Sequence, residues 1–337
     1  MAVGAEIELR YLSRAQVKGA GLDMTLALEV VEDVLRLHAC GDDILPHKMG
    51  LDLGERGRVS IMPAHVGGKF DVCGLKWIGI FPNNPMRYGL PSLTGLMILA
   101  DPDRGTPLAV MDGSLITSMR TGAATGVAAK YLARQDATIA AIVGASVQGR
   151  TQLMALRQVL PRLQEARVYD VHPEAADQYA AEMSAALGLR VTSVDTPEAC
   201  VSGAHVIATA TVADEPIVKD AWVQAGSFFS HVGSHQEEEY DVVLHSDAVF
   251  VDDWSGMLHR GSQTLALMHE AGLIDDTVIT GELGEVIVGE KPGRRSDEER
   301  IYFCSVGMGT EDVALAYAVF HEAERKGLGT VLNLLGD

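Results

Sequence analysis

The chain has 337 residues, of which 47% are hydrophobic, and its formal net charge is −19. This length is typical of one large or two ordinary domains with a full hydrophobic core. The negative charge argues against nucleic-acid phosphates or an anionic membrane surface as partners, although a local pocket can still be basic. No stretch predicts a membrane span, and M-A-V-G-A-E-I-E-L-R at the N-terminus has no apolar core of the signal-peptide kind.

The four cysteines, Cys40, Cys73, Cys200 and Cys304, are widely spaced, and no two of them form a C-x-x-C pair. This spacing argues against a structural zinc site and against a disulfide scaffold, so no metal is expected. A reducing, cytoplasmic location is the prediction that follows.

The first 120 residues predict a mainly antiparallel α+β domain. After E-I-E-L-R-Y-L-S, an acidic-capped helix is predicted around residues 23–40. Strands are predicted at V-S-I-M-P, C-G-L-K-W-I-G-I, L-T-G-L-M-I-L-A-D and P-L-A-V-M-D, with turns at P-N-N-P and D-P-D-R-G-T-P. A long helix, predicted at 114–132, leads into the rest of the chain.

From residue 137 onward, short apolar runs alternate with helical segments. Strands are predicted at 139–144, 166–170, 190–194, 205–211, 227–233 and 248–253, and helices at 149–160 and 173–188. This alternation predicts a parallel sheet covered on both faces, that is, a Rossmann-type doubly wound domain. A last helix, predicted at 311–329, is expected to pack on the first domain. The expected division is therefore 1–125 plus 312–337 for the first domain and 126–311 for the second.

The stretch V-G-A-S-V-Q-G, residues 143–149, lies where a dinucleotide-binding turn would join a strand to a helix. Gly144 and Gly149 occupy the first and third glycine positions, and Ser146 replaces the second with a small side chain that can donate to a phosphate. Asp170 ends the next predicted strand, 26 residues after Gly144, where an acidic residue would bind the ribose diol. No arginine follows Asp170, which favours NAD over NADP. The alternative is a doubly wound domain that binds no nucleotide.

Five further stretches point to a known family: G-L-K-W-I-G, S-L-I-T-S-M-R-T-G-A-A-T, V-G-A-S-V-Q-G-R-T-Q-L, A-H-V-I-A-T-A-T and V-G-M-G-T-E-D. Together they resemble the ornithine cyclodeaminase/mu-crystallin family over essentially the whole chain. The stretches M-P-A-H-V-G-G, V-D-D-W-S, G-E-L-G-E-V-I-V-G-E-K-P-G-R and G-L-G-T-V-L-N-L-L resemble its N-(2-amino-2-carboxyethyl)-L-glutamate dehydrogenase branch, which forms 2,3-diaminopropionate.

This resemblance implies an NAD-dependent oxidation of a secondary amine that joins glutamate to diaminopropionate. The imine would then be hydrolysed to 2-oxoglutarate and 2,3-diaminopropionate. The resemblance also implies a homodimer, in which the first domain binds the substrate and its sheets pair across subunits, while the second domain binds NAD.

The resemblance places three basic residues of the first domain at the substrate carboxylate: Lys48, Lys76 and Arg120. The planar guanidinium of Arg120 suits a carboxylate. Lys76 lies in an otherwise apolar strand, where an unpaired ammonium would be costly, so it needs an anionic partner. The alternatives are a solvated Lys48, a structural ion pair for Arg120, and for Lys76 either a strand-edge position or a salt bridge to an Asp or Glu.

The predicted cofactor contacts come from the long helix, the glycine turn, the acidic strand end and the ends of two later strands. They are Arg120, Thr121, Gly144, Ala145, Ser146, Val147, Gln148, Asp170, Thr209, Ala210, Thr211, Val232 and Gly233.

Two positions depart from the cyclodeaminase pattern. His235, in V-G-S-H, stands where those enzymes have a catalytic Asp in V-G-G-D, and Ser60 stands where they have a Glu. The departures favour simple oxidation or reduction at a C–N bond over cyclodeamination. Imidazole titrates near neutral pH, so His235 is a candidate catalytic acid-base group beside Lys76. A loop histidine at the cofactor rim is the alternative.

Other charged groups are expected to be structural. His231 is expected to be buried, E-E-E at 237–239 to form a solvated turn, and Glu311 and Asp312 to be first-turn acids stabilised by the dipole of the last helix. Three alternative functions stay open: a ketimine or imino-acid reductase, an ornithine-type cyclodeaminase, and a non-enzymatic nucleotide-binding protein of the crystallin type.

Overall fold

The computed structural model describes residues 6–213 and 215–336. Residues 1–5, where the sequence predicts no signal peptide, lie outside the described residues. Within the described ranges, no helix is long and apolar enough to cross a membrane. The chain divides into two compact units: Met1–Arg120 with Met308–Asp337, here unit 1, and Thr121–Gly307, here unit 2.

The strands of the described residues, in chain order, are β1 (Glu8–Leu12), β2 (Asp43–Ile44), β3 (Met49–Asp52), β4 (Arg58–Val66), β5 (Val72–Ile80), β6 (Leu93–Ala100), β7 (Pro107–Asp112), β8 (Ile139–Val143), β9 (Glu165–Tyr169), β10 (Arg190–Ser193), β11 (Val206–Thr209), β12 (Phe228–His231), β13 (Ala248–Val251), β14 (Ile279–Glu282), β15 (Ile301–Cys304) and β16 (Thr330–Asn333).

The α-helices of the same ranges are α1 (Arg14–Gly19), α2 (Met24–Ala39), α3 (Asn84–Tyr88), α4 (Ser114–Leu132), α5 (Val147–Val159), α6 (Pro173–Leu187), α7 (Pro197–Val201), α8 (Tyr240–Leu244), α9 (Trp254–Arg260), α10 (Thr264–Glu270), α11 (Leu283–Ile287) and α12 (Gly309–Arg325).

Unit 1 is built on a mainly antiparallel sheet of the order β16-β1-β7-β6-β5-β4-β2, with β3 also paired to β4. Helix α2 begins after Asp23, whose side chain accepts a hydrogen bond from the N–H of Leu26, and its apolar stripe is buried. Helix α12 packs on α2 and on β4, β5 and β6, so it covers one face of the sheet. The final helix therefore packs on the sheet of the first unit, as the sequence predicts.

The register of this sheet decides which side chains lie beneath α12. Met62, Lys76, Met97 and Met111 lie opposite one another on β4 to β7, and all four are buried. Side chains alternate between the faces of a strand, so this row shares one face. Lys76 is thus a charged group within a row of methionines, and its charge requires a buried partner.

Unit 2 is an all-parallel sheet of the order β10-β9-β8-β11-β12-β15-β13-β14. From β8 the chain moves outward to β9 and β10, and it then returns to β11 on the other side of β8. Because parallel crossovers are right-handed, this reversal places helices on both faces and creates a topological switch point between β8 and β11. The predicted fold class, a Rossmann-type doubly wound domain plus a mainly antiparallel α+β domain, is confirmed.

The structure differs from the sequence prediction in a few elements. Helix α5 begins at Val147 rather than at residue 149, because Ser146 is its N-cap. Strands β14, β15 and β16 were not predicted, and β15 inserts between β12 and β13. The chain leaves unit 1 after residue 120 and unit 2 after residue 307, whereas the sequence placed these boundaries after residues 125 and 311. The first of these boundaries falls inside the continuous helix α4, where the sequence has no turn signal to mark it.

Candidate functional site

The glycine turn between β8 and α5 has the backbone conformation that the sequence suggested. Gly144 has a φ of 111°, and a Cβ there would come within 2.6 Å of the carbonyl oxygen of Ala210. A Cβ at Gly149 would overlap the carbonyl oxygen of Gly144. Both positions therefore require glycine. Ser146 is exposed, and its Oγ accepts from the N–H of Gly149, so the hydroxyl hydrogen can still be donated to a ligand.

Asp170 follows β9, and its carboxylate lies against the glycine turn. It accepts hydrogen bonds from the N–H of Ala145 at 2.8 Å and from the N–H of His172 at 3.0 Å. Arg150 supports the turn from the helix side: it donates to the carbonyl of Ala145 at 2.6 Å and pairs with Glu182 at 2.7 Å. An acidic group beside the turn is what a ribose diol requires in this fold.

The ends of β11 and β12 lie at the same edge of the sheet as the glycine turn. The N–H of Ala210 donates to the carbonyl of Val143 at 2.8 Å, and the N–H of Val232 donates to the carbonyl of Thr209 at 3.0 Å. Open α/β sheets bind ligands at the carboxyl ends of the strands beside a switch point. The glycine turn and the residues that follow β11 and β12 therefore lie at one edge of the sheet, where most of the cofactor contacts of unit 2 are predicted.

The expectation of a solvated turn at 237–239 is wrong, because Glu237 and Glu238 are buried. The Glu237 carboxylate accepts from the hydroxyl of Thr209 at 2.7 Å and from the N–H groups of Thr211 and Gly233 at 2.5 and 2.8 Å. Buried carboxylates persist where such donors compensate for lost hydration. The backbone donors at Thr211 and Gly233 are therefore already used within the protein.

His231, at the end of β12, is fully buried, as predicted. Its Nδ1 lies 2.9 Å from Glu238, and its Nε2 lies 3.1 Å from the carbonyl oxygen of Gly233. The hydroxyl of Tyr302 donates to Glu238 at 2.7 Å. Burial disfavours the imidazolium, but the charges of Glu238 and Glu237 outweigh it and raise the pKa of His231 to about 9. Both ring nitrogens face acceptors, so the protonated ring fits this position.

Unit 1 contains a second buried cluster, formed by Lys76 of β5, Arg120 of α4, and Glu311 and Asp312 of α12. Asp312 lies 2.5 Å from Nζ of Lys76 and 3.2 Å from Nε of Arg120, and it accepts from the hydroxyl of Thr117 at 3.4 Å. Glu311 lies 3.2 Å from Nη1 of Arg120. The two acids do lie in the first turn of α12, but they are buried ion-pair partners and not only helix-dipole residues.

The cluster has two cations and two anions, and this balance sets its protonation. Burial and the charge of Arg120 lower the pKa of Lys76 to about 8, although Asp312 opposes the shift. Burial disfavours the charged form of Asp312, but Arg120 and Lys76 hold its pKa below the usual value, with help from the charge of Lys48. Lys76 can therefore gain and lose a proton in mildly alkaline solution while Asp312 stays ionised.

The remaining predicted site residues lie in helices α4 and α5 and on two loops, and they differ in exposure. Thr121 is buried at the start of unit 2, Val147 is exposed and Gln148 is half-buried at the start of α5. Lys48 is half-buried on the segment before β3, and His235 is exposed on the loop that follows β12.

Sequence reasoning missed two acidic residues, Asp312 as the partner of Lys76 and Glu237 at the strand ends. For Asp312 a signal was available, because a lysine in an apolar strand requires a carboxylate and E-D begins an apolar helix. For Glu237 the local pattern was misleading, since three successive acids usually form a solvated segment.

A doubly wound unit with this glycine turn and acidic strand end defines a dinucleotide-binding class of protein. The sequence model of the ornithine cyclodeaminase/mu-crystallin family matches residues 11–327 of the chain. The chain belongs to this family, which confirms the family that the sequence motifs indicated.

Three relatives are similar over nearly the whole chain. N-((2S)-2-amino-2-carboxyethyl)-L-glutamate dehydrogenase of Staphylococcus aureus is 32% identical, over 97% of this chain and 99% of its own. The structure of Thermococcus litoralis Δ(1)-pyrroline-2-carboxylate reductase with NADH and L-proline has a TM-score of 0.90 and 34% identity, over 95% of this chain and 99% of its own. An archaeal alanine dehydrogenase dimer with bound NAD has a TM-score of 0.89 and 34% identity, over 97% and 100% of the two chains.

Proposed function

We propose that this protein is an NAD-dependent oxidoreductase that oxidises a C–N bond of N-(2-amino-2-carboxyethyl)-L-glutamate, giving 2,3-diaminopropionate and 2-oxoglutarate. The oxidoreductase class and the use of NAD are supported by relatives that are dehydrogenases and reductases, two of them with NAD or NADH bound. The observation that carries the proposal is the buried cluster around Lys76, which combines a titratable amine with a guanidinium suited to a carboxylate.

The residues of unit 2 fit a dinucleotide. The tight turn at Gly144 and the exposed Ser146 at the start of α5 would receive the phosphates. Asp170 would accept from the ribose hydroxyls, as the sequence analysis expects for NAD. Ala210 and Val232 would contact the rest of the cofactor from the strand ends, while Thr209, Thr211 and Gly233 would shape the crevice. When bound, NAD accepts a hydride from the carbon next to the substrate nitrogen.

The basic residues of unit 1 would prepare the substrate. Arg120 and Lys48 would bind and orient its carboxylates. Neutral Lys76 would accept the proton of the secondary ammonium, because its lowered pKa makes the neutral amine available near pH 8. Asp312 would keep Lys76 and Arg120 in place. His235, exposed on its loop, is the candidate for activating the water that hydrolyses the imine.

The first test is oxidation by purified protein, followed by the near-ultraviolet absorbance of NADH. N-(2-amino-2-carboxyethyl)-L-glutamate, L-alanine, L-proline and L-ornithine would be supplied separately with NAD. The proposal expects NADH to form with the first compound and 2,3-diaminopropionate to appear in equal amount. R120K, which keeps the charge but loses the planar fork, should raise the KM for the amine. Unchanged kinetics in R120K would contradict the role of Arg120.

A second candidate is an imino-acid reductase that works in the opposite direction. It is favoured by the likeness to the reductase crystallised with NADH and L-proline. Consumption of NADH with a cyclic imine, without any oxidation of the glutamate-derived amine, would favour this candidate.

A homodimer through unit 1 is also proposed. The sheet face opposite α12 presents apolar side chains to solvent: Ile61, Trp77 and Leu96 lie opposite one another on β4, β5 and β6, and Trp77 and Leu96 are exposed. A contiguous apolar surface of this kind is typical of an interface. Light scattering of the wild type and of W77E/L96E would test it: the proposal expects a dimer and a monomer, respectively.

A further inference from the structure

The buried acids Glu237 and Glu238, in the segment between β12 and α8, have no part in the mechanism above, yet Glu237 binds the strand ends beside the switch point. Glu237 is 1% exposed, and its three donors come from two different strand ends. Thr209 is the last residue of β11, Thr211 lies two residues after it, and Gly233 follows β12. One carboxylate therefore joins the two strand ends that border the proposed cofactor site.

Both backbone polar groups of Gly233 are hydrogen-bonded within the protein. Its N–H donates to Glu237, and its carbonyl oxygen accepts from His231 at 3.1 Å and from Gln263 at 3.0 Å. A Cβ at this position would overlap the Glu237 carboxylate. The glycine thus allows the carboxylate to approach the backbone closely.

The position of Glu237 is itself determined by its neighbour. Glu238 binds His231 and Tyr302, which anchors the segment after β12 to the strands β12 and β15. His231 lies 3.9 Å from Glu237 as well, so a cation separates the two carboxylates. This arrangement makes it possible to bury two adjacent acids beneath the strand ends.

We propose that Glu237 is a positioning residue for the cofactor, which acts by fixing the backbone at Thr211 and Gly233 before the dinucleotide binds. This inference rests on the proposed cofactor site. Because the strand ends are already ordered, NAD or NADH does not have to order them on binding, and affinity increases accordingly. Since the two N–H groups are used by Glu237, the cofactor would contact this edge through Ala210, Val232 and the side chain of Thr211.

The test is the substitution Glu237→Gln, measured by the fluorescence change of NADH on titration. The carboxamide of glutamine has only one acceptor oxygen, so either Thr211 or Gly233 must face an amide nitrogen. We expect NADH binding to weaken roughly tenfold, the factor that corresponds to one misplaced buried hydrogen bond. The KM for NAD should rise similarly, while the KM for the amine should stay within about twofold.

E239Q is the matched control. It removes the same charge two residues further along the chain, but Glu239 accepts from the N–H of Asp220 at 3.0 Å and not from the strand ends. E239Q should bind NADH like the wild type. If E237Q also binds NADH like the wild type, or if the two KM values rise together, Glu237 is not a positioning residue for the cofactor.

Hydrogen–deuterium exchange of the wild type provides a test that does not depend on the variant being folded. Without cofactor, peptides spanning 208–213 and 231–236 should already exchange slowly. Fast exchange that becomes slow only on addition of NADH would overturn the inference. A wild-type protein that fails to bind NADH at all would instead contradict the proposed function, so the two failures are distinguishable.

Discussion

Each of the two units contains a buried cluster of charged residues, and the two clusters shift the pKa of a buried base in opposite directions. In unit 1, Lys76 is next to Arg120, and burial together with this second cation lowers the pKa of the lysine to about 8. In unit 2, His231 lies next to Glu238 and Glu237, and the two anions overcome burial and raise the pKa of the histidine to about 9. For Lys76, burial and Arg120 outweigh the opposing charges of Asp312 and Glu311, whereas for His231 the two carboxylates outweigh burial. The balance between burial and the neighbouring charges therefore decides whether a buried base releases its proton near neutral pH or keeps it.

In the proposed function, the first cluster takes part in the chemistry and the second positions the cofactor site. Lys76 changes protonation at a pH where an enzyme can use it, whereas His231 remains a cation that binds acceptors on both sides. The four predictions below test this contrast, beginning with the largest expected effect.

Removal of the central anion of unit 1 should have the largest effect. In D312N, Lys76 and Arg120 lose their shared charge partner, and breaking a buried ion pair on one side costs roughly 3 to 5 kcal/mol. Urea unfolding near pH 7 measures the loss, and activity should fall to background. D241N is the matched control, since Asp241 is an exposed first-turn acid of α8, and it should change stability by less than about 0.5 kcal/mol. A D312N protein as stable as D241N would show that the ion pairs are not needed for folding.

His231 should stabilise the fold most strongly at low pH. Its folded pKa of about 9 lies above the ordinary 6.5, so its full contribution, about 3 kcal/mol, is present below pH 6.5 and is lost as the pH rises through 9. The difference in unfolding free energy between the wild type and H231Q should therefore shrink between these pH values. A difference that stays constant from pH 6 to 9 would mean that folding does not raise the pKa of His231.

Lys76 should produce the opposite pH dependence in the reaction. Since its neutral form accepts the substrate proton, kcat/KM for amine oxidation should rise with pH and level off above about 8. Activity at pH 6 should be lower by roughly 100-fold, or tenfold for each pH unit below the pKa. K76M should abolish this rise of kcat/KM with pH, together with most of the activity. If H235A shows the same rise as the wild type, the titrating group is Lys76 and not the exposed histidine.

The smallest expected effect is that of Tyr302. Y302F removes one hydrogen bond to the charged Glu238 without changing any charge, which should cost about 1.5 kcal/mol in urea unfolding. The pKa of His231 should be nearly unchanged, because its carboxylate partner remains. If Y302F abolished the pH dependence attributed to His231, the histidine would depend on Tyr302 more than the direct contacts indicate.

The sequence predicted the elements that are recognisable from local patterns. The strands β8, β11, β12 and β13 are short, fully or mostly buried runs rich in apolar residues, the glycine turn has two required glycines, and α4 has the predicted bounds. What it could not predict depends on contacts between distant residues. Lys76 and Asp312 are 236 positions apart. The apolar strand indicates that Lys76 needs a carboxylate and E-D at the start of an apolar helix is a candidate, but no local pattern shows that this acid is its partner.

The strand order of unit 2 could not be predicted from the sequence for a similar reason. β15 is a run of four buried residues after a charged segment, and an apolar run of this length does not show which strands it will join. The burial of Glu237 and Glu238 follows from that insertion in part, since Tyr302 of β15 supplies one of the donors.

The pairing of β1 with β16 has a consequence for how the protein forms during synthesis. β1 is among the first described segments to be made and β16 is the last, and α12, which covers the same sheet, comes just before β16. The ribosome releases the chain from its N-terminus, so the sheet of unit 1 has an uncovered face, and Lys76 lacks Asp312, until α12 has emerged. Unit 2 becomes complete earlier, once β15 has been translated. The unit that is encoded first is thus the one that finishes folding last, and truncation near the C-terminus should damage the N-terminal unit.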